Sequence, residues 1–522
     1  MMNKQIIYLA LVTFLFSCSS NDSISNDTEN PIDVITLPEL QTNEVTDITL
    51  YSVKTGGKLI DNGDSDIIEV GLVFGLTTLP TTESNLNKFI LTPDDLGNFN
   101  ITITSVPTNT TYFIRAYGLN SEGIGYGNEI QFTSLEENVY TGNITLSTQD
   151  EVNEFGTNEY TTIDGSMYIE GTVTDLSPLE SIVIINNAFE VKNTQNLQNL
   201  KGLNNLKITG NIFPNGFRIE NNSALESLSG LNNLEFTRGY SYIINNDNLI
   251  NMQGLNSYYA ASAGEFRIQD CDGLQNLSGL ENLQFIGDRF YLINNSELTD
   301  LSSLSNLNYI ARDIYIKDNH SLQNINGFNS LSSVESVSII NNDNLIRFDG
   351  LLNLVSLNSI SIEWNDILNN LSGVNNVTTP LDLTIQNNNG LETLKTLNNP
   401  NINSLNISSN TNLISLEGLE NVTTLSTLRI SRHDLLNNLN GLNNLTTITE
   451  NLDISLNYGL NSLYGLDNLN QINGNLKIRS NYNLVDFCAL KKIFINQGLD
   501  GNKDISNNAV DISEEEIIKN CK

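Results

Sequence analysis

The chain has 522 residues, with 60 acidic side chains against 25 basic ones and a formal net charge of −35. Phosphate recognition needs clustered Lys and Arg, so nucleic acid and anionic membrane surfaces are excluded as ligands, and the acidity mainly confers solubility. With only 9 prolines and 7% aromatic residues, the composition is that of a chain that folds into several domains.

At the N-terminus Lys4 precedes the apolar run Ile6 to Phe16, which is too short to span a bilayer, and "LFSCSS" then puts a small residue before Cys18. This resembles the lipobox of bacterial lipoproteins. The resemblance implies a signal peptide at 1–17, cleavage before Cys18, lipid on Cys18 and retention at a membrane by acyl chains. Ser19 and Ser20 fit an outer-membrane destination, with surface exposure left open. Residues 18–36 carry almost nothing apolar and read as a disordered tether.

From 37 to 135 the pattern is short alternating runs ("ITLYSV", "IEVGLVFG", "FNITIT", "TYFIRAYGL", "EIQFTS") broken by Gly, Pro, Asn and Asp. Roughly seven strands in about 100 residues predict a β-sandwich. The stretch from Val106 to Ser134 resembles the last strands of a fibronectin type III-like module, which implies Tyr112 as a tyrosine-corner residue. Such modules commonly act as spacers. "DNGDSD", Asp61 to Asp66, lacks the downstream Glu of a calcium loop and reads as a sandwich loop.

The remainder is periodic, and period decides fold. The frame apolar-x-Gly-apolar recurs fourteen times, from Pro178 to Ala489, at spacings of 22 to 28 residues. No helical repeat is that short, so each unit is one coil of a β-solenoid. A second frame, apolar-x-Ile-x-x-Asn-x-x-Leu, lies between. Its sixth position runs from Asn187 through Asn222 and Asn246 to Asn481, and eleven of thirteen members are Asn, the others being Cys271 and His433. A coil turning after its strand leaves backbone groups without sheet partners, and an inward amide satisfies them and can bond to the next coil's amide. "LTIQNNNGL", Leu383 to Leu391, is one rung of such a ladder. The pattern resembles the leucine-rich repeat and, more closely, the receptor L domain. The fold expected is therefore all-β: an N-terminal fibronectin type III-like β-sandwich, then a right-handed parallel β-solenoid of about 14 coils with short helical caps.

The N-terminal cap is placed at 136–165, the solenoid at 166–487 and the C-terminal cap at 488–522. Thr148 with Glu151, and Ser513 with Glu516, have capping-box spacing, and Gly156 is positioned to end the first helix. The second helix can bring Cys521 to Cys488; that disulfide would stabilise by about 3 to 4 kcal/mol and implies an oxidising compartment. Cys271, at a ladder position, reads as buried and inert.

No catalytic constellation emerges. His320 and His433 stand four or more coils apart and share neither a metal nor a catalytic site, and no cofactor-binding motif is present. An enzyme is not expected, although a polysaccharide lyase or hydrolase on a β-helix is kept as a third alternative. The informative surface is the outward residue of each strand: Val183, then Arg218, Tyr242, Arg267, Tyr291 and Tyr315, followed by smaller or charged residues to Lys477. Arg and rigid aromatics favour binding hot spots, and Tyr stacks on sugars. The plainer reading is that they suit exposed strand positions and pack along one another. Trp364, the single tryptophan, covers a coil edge or offers a stacking platform. The expectation is a monomeric, lipid-anchored cell-envelope protein for noncatalytic recognition or adhesion, with protein or glycan as ligand. The alternative is a structural envelope component with no dedicated ligand.

Overall fold

The computed structural model describes residues 35–50, 52–210 and 216–521. Cys18, the expected signal peptide and the tether up to residue 34 lie outside them. The chain divides into two compact units, one ending at Glu136 and the other beginning at Glu137.

The first unit contains β1 (Glu39–Thr42), β2 (Ser52–Asp61), β3 (Glu69–Gly75), β4 (Asn87–Leu91), β5 (Asn98–Thr104), β6 (Thr111–Leu119) and β7 (Ile124–Thr133). They form two antiparallel sheets, ordered β1-β2-β5 and β4-β3-β6-β7. Strand period places Tyr112, Ile114 and Ala116 of β6 in the core, with Phe113 and Arg115 half-exposed. Tyr112 is not a tyrosine corner. Its ring lies between Phe74 at 4.6 Å and Phe132 at 5.4 Å, and among the described residues its hydroxyl has no backbone partner. "DNGDSD" lies between β2 and β3, where Asp61 Oδ1 accepts the Gly63 N–H at 2.7 Å.

The second unit is a parallel β-solenoid of about 15 turns. Its main sheet holds 16 strands, all paired in parallel, from Ile144–Leu146 to Lys503–Ser506. The count exceeds fourteen because both expected caps contribute a strand. Between these strands lie the helices α1 (Gln149–Gly156), α2 (Lys491–Ile495) and, beyond the last, α3 (Glu514–Asn520). Both capping boxes form, at Thr148/Glu151 and Ser513/Glu516. Gly156 does not end α1 through a left-handed turn: Thr157 caps it in helical conformation, and a Cβ at Gly156 would sit 2.3 Å from the Pro178 carbonyl oxygen. Close packing of helix on coil fixes that glycine.

Inside each coil the ladder runs as a chain of amides. The backbone N–H of Asn342 donates to Asn365 Oδ1 at 3.1 Å, that of Asn365 to Asn388 Oδ1 at 3.0 Å, and that of Asn388 to Asn410 Oδ1 at 2.8 Å. Each Nδ2 donates to a carbonyl of the preceding strand, and from Asn295 to Asn388 also to one of its own, as Asn388 does to Ile362 and Gln386 at 2.8 and 3.0 Å. The ladder reaches Asn508, which accepts from the Asn481 N–H at 3.1 Å. Asn187 is not part of it. Strand Phe189–Lys192 pairs Val191 with Ile219, so Thr194 occupies the rung and donates to Asn222 Oδ1 at 2.8 Å. "IVIINN" imitates the frame one element too early.

The residue before each rung adopts the left-handed conformation. From Asn193 to Asn507, fourteen such non-glycine residues have φ between 51° and 63°. Most are Asn, Asp or Ser, whose short polar side chains tolerate it, whereas Trp364, Arg432 and Leu456 do not suit it. The core is made mostly of leucine and isoleucine, with a phenylalanine file, Phe189, Phe217, Phe266 and Phe290, on the strands. Where Ser241 interrupts that file, Tyr258 fills the space and its hydroxyl meets Ser241 Oγ at 2.6 Å and Thr237 Oγ1 at 2.8 Å.

Substituting Asn388→Leu strands the Asn365 N–H and the carbonyls of Ile362 and Gln386, and is expected to cost at least about 3 kcal/mol. Leu456→Asn relieves left-handed strain and is expected to stabilise by about 1 kcal/mol. Urea unfolding midpoints measure both, and an Asn388→Leu protein as stable as the parent would show the amide ladder to be dispensable.

Candidate functional site

The outward face of the 16-strand sheet is the most extensive ordered surface the fold offers. Register places Tyr168, Glu190, Arg218, Tyr242, Arg267, Tyr291, Tyr315 and Ser338 side by side on consecutive strands. The expected column is therefore present from Arg218 to Tyr315, but Val183 does not belong to it: Glu190 stands in that place, for the same reason that Thr194 replaces Asn187.

The side chains are held by each other. The Arg218 guanidinium lies 4.8 Å from the centre of the Tyr242 ring, and Arg267 lies 4.1 Å from that of Tyr291. Tyr291 and Tyr315 meet edge to face at 5.9 Å, and Tyr240 stacks on Tyr242 at 4.5 Å. Strand period makes i±2 residues same-face neighbours, and these neutralise both arginines. Arg218 pairs with Glu220 at 2.8 Å, while Arg267 reaches Glu265 at 3.4 Å and Gln269 at 3.0 Å. Burial is the largest single influence and opposes the charge on Arg218, but the Glu220 hydrogen bond together with the negative charges of Glu220 and Glu190 holds the pKa above its ordinary value. Burial, reinforced by the hydrogen bond its hydroxyl donates to Glu265, pushes the Tyr242 phenol well above its usual range. The result is a half-buried strip of aromatic rings and paired guanidinium groups.

Beyond Tyr315 the same columns become small and polar: Ser336 and Ser338, Ser359 and Ser361, then Thr384 and Asn406. Just ahead of the main strand in each coil, the short second sheet stops after Tyr309–Ile310 and resumes at Thr424–Leu425. In between, coils shorten to 22 or 23 residues and the short strand fuses with the main one, as in Ser333–Ile340 and Ser356–Glu363. A shallow notch of about 260 Å³, lined by Thr378, Pro380, Asn401, Ile402, Thr424 and Thr449 among others, marks where the second sheet restarts. It contains no charged side chain.

The remaining candidates are distributed along the solenoid. Cys488 and Cys521 are joined by a disulfide with Cα atoms 5.2 Å apart, and α3 sits over the last coil with Ile517 buried. Cys271 is free and buried, and burial pushes its thiol up to about 12. His320 Nδ1 lies 2.9 Å from Asp343 Oδ2 at the surface. Trp364 is 51% exposed, and among the described residues no aromatic ring lies against it. Among the described residues no group of three or more His, Cys, Asp or Glu is placed to hold a metal, and no helix is long and apolar enough to cross a membrane.

No protein-family model and no curated protein matches the chain. Among solved structures, the Yersinia enterocolitica family 28 exopolygalacturonase is similar over 92% of this chain and 100% of its own, at 8% identity and a TM-score of 0.16. The sensor domain of the anti-sigma factor RsgI4 from Pseudobacteroides cellulosolvens is similar over 20% of this chain and 98% of its own, at 16% identity and a TM-score of 0.16. At these values neither likeness bears on what this chain does.

His433 occupies a rung, and its Nδ1 and Nε2 face the carbonyl oxygens of Asn410 and Ile407 at 3.1 and 3.3 Å. A neutral imidazole has one N–H for the two carbonyls. Burial outweighs both carbonyls and holds the pKa below its ordinary 6.5. The unfolded chain thus takes up this proton at higher pH than the folded one does. The stability contribution is complete above the unfolded value and is lost as pH falls through it towards the lower folded value. His433→Asn restores an amide rung and should remove that loss: between pH 7 and pH 5 the urea midpoint of the parent should fall more than that of the variant. Equal falls would refute the assignment.

Proposed function

We propose that the protein is a noncatalytic recognition or adhesion component of the cell envelope that binds protein or glycan through the outward sheet face of its solenoid. In this reading Cys18 carries a lipid anchor and the protein resides at the outer membrane. The first unit serves as a fibronectin type III-like spacer, for which the three-plus-four strand order of its sheets is support. Kinship with receptor L domains and leucine-rich repeats is supported by the buried Asn or Cys that follows most of the main-sheet strands.

The observation that carries the proposal is the continuous strip Arg218, Tyr242, Arg267, Tyr291 and Tyr315. Rings fixed by neighbouring guanidinium groups have little rotamer freedom left to lose on binding, which is the economy that hot spots exploit. The structural reading is the alternative, and it is favoured by the fact that Glu220, Glu265 and Gln269 already satisfy both arginines.

The test is an array of glycans and host proteins probed with the chain from residue 37 onward, beside an Arg267→Ala/Tyr291→Ala variant. The proposal expects a ligand whose affinity falls at least about tenfold in the variant. Binding that survives the double substitution puts the site elsewhere, and silence across the array supports the structural alternative.

A further inference from the structure

Every arginine in the solenoid from Arg218 to Arg347 has a partner. Arg218, Arg267, Arg289, Arg312 and Arg347 are in ion pairs, and Arg238 lies over Phe236. The last three differ: Arg429, Arg432 and Arg479 are exposed, and their side chains have no ion pair, hydrogen bond or ring contact among the described residues. In a chain with 60 carboxylates against 25 basic groups, three uncommitted cations on one stretch of surface are a local inversion of charge.

The register brings them together. Arg429 occupies the outward column, and Arg432 follows in the same coil at the left-handed turn position, with φ 62°. Arg479 sits two strands further on, in the column Ser408, Ser431, Ser455, Arg479, Ser506. Two strand spacings are about 10 Å. Neither that column nor the adjoining turn column, Ser409, Arg432, Leu456, Ser480 and Asn507, contains a carboxylate. Asp453, the acidic neighbour of Arg429, is engaged by Lys477 at 2.9 Å, and Asp434 bounds the patch on one side. Ser431 Oγ, 1% exposed as a residue, has no hydrogen-bond partner.

One position past the rungs, Tyr458 and Tyr482 project from the same edge, 45% and 57% exposed. Their rings lie parallel, 5.7 Å apart at 14°. Arg432 also holds a backbone conformation that Asn adopts at half of the equivalent positions and that an arginine fills only under strain. Strain retained at an exposed cation is the kind of outlier that accompanies function.

We propose that this edge binds an acidic polysaccharide, with Tyr458 and Tyr482 stacking on sugar faces and Arg429, Arg432 and Arg479 taking its carboxylate or sulfate groups. Guanidinium forks suit both anions, and exposed aromatic faces suit pyranose rings. The site is separate from the strip around Arg267 and stands whether or not that strip binds anything.

The experiment titrates the full chain with an oligouronate, the same oligosaccharide after reduction of its carboxyl groups, a sulfated oligosaccharide and poly-glutamate, at low and high salt. Two variants are compared with the parent: Arg432→Asn/Arg479→Gln, in which Asn suits the turn, and Tyr458→Ala/Tyr482→Ala. Urea midpoints no lower than the parent's show that both remain folded. The expected result is binding of the oligouronate, the sulfated glycan or both, weakened by salt, at least about tenfold weaker in each variant, and unaffected by Arg267→Ala/Tyr291→Ala. A preference between the two acidic glycans identifies the anion. The proposal is overturned if neither acidic glycan binds, if the reduced sugar binds equally well, if the variants bind like the parent, or if poly-glutamate binds as tightly as the glycans.

Discussion

One backbone constraint organises the solenoid: at the end of each strand the chain must turn inward, and the peptide groups of that turn are buried with no sheet partner. An amide side chain is the smallest group that can donate to two carbonyls and accept two N–H groups at once. Asn388 does this, with its Oδ1 accepting from the Asn365 backbone and side chain and its Nδ2 donating to Gln386 and Ile362. Because each amide is completed by the next coil, the turn is stable only as part of a stack. The three asparagines of "LTIQNNNGL" accordingly have three tasks. Asn387 takes the left-handed conformation, Asn388 forms the rung, and Asn389 donates to Asp366 Oδ1 on the preceding coil at 2.9 Å.

The stack in turn fixes what the rest of a coil can be. Coils must keep one rise per turn, so an insertion or deletion is absorbed in the connectors. Gly202, with φ 110°, illustrates the tightness of those connectors: a Cβ there would lie 1.9 Å from the Leu176 carbonyl oxygen. Where a coil is a residue or two short, the second sheet is lost and only the main sheet persists. The main sheet therefore carries the one outward face that runs uninterrupted through all the coils, and its side chains are free of any structural requirement except packing against their neighbours.

This division explains what could be read from the sequence. The ladder, the in-out alternation and the column from Arg218 to Tyr315 follow from a period that is repeated many times, and a single misread coil cannot hide it. The errors fall where the repeat is imitated or interrupted. "IVIINN" precedes the true strand Phe189–Lys192 and copies its frame, which displaced Val183 and Asn187 from the column and the rung. The terminal strands Ile144–Leu146 and Lys503–Ser506 are separated from their neighbours by helices, so the spacing that identifies the others is absent. Tyr112 was a matter of rotamer and partner, which a strand pattern does not specify; its ring joined Phe74 and Phe132.

Charge on the face obeys a local rule that the sequence does contain. On a strand the same-face neighbours of residue i are i−2 and i+2, and on a parallel stack they are also the registered residues of the coils either side. Arg218 finds Glu220 by the first relation and Tyr242 by the second; Arg267 finds Glu265, Gln269, Tyr242 and Tyr291. Applied to Arg429, the same relations give Thr427, Ser431, Asn406 and an Asp453 already engaged by Lys477; applied to Arg479 they give Lys477, Ser455 and Ser506. One sheet thus presents two surfaces of opposite character. In the first, arginines serve to hold aromatic rings in place; in the second, arginines that form no ion pair among the described residues stand beside a pair of exposed rings. The fold demands neither arrangement, since Ser and Thr fill the equivalent positions between them without disturbing a single rung.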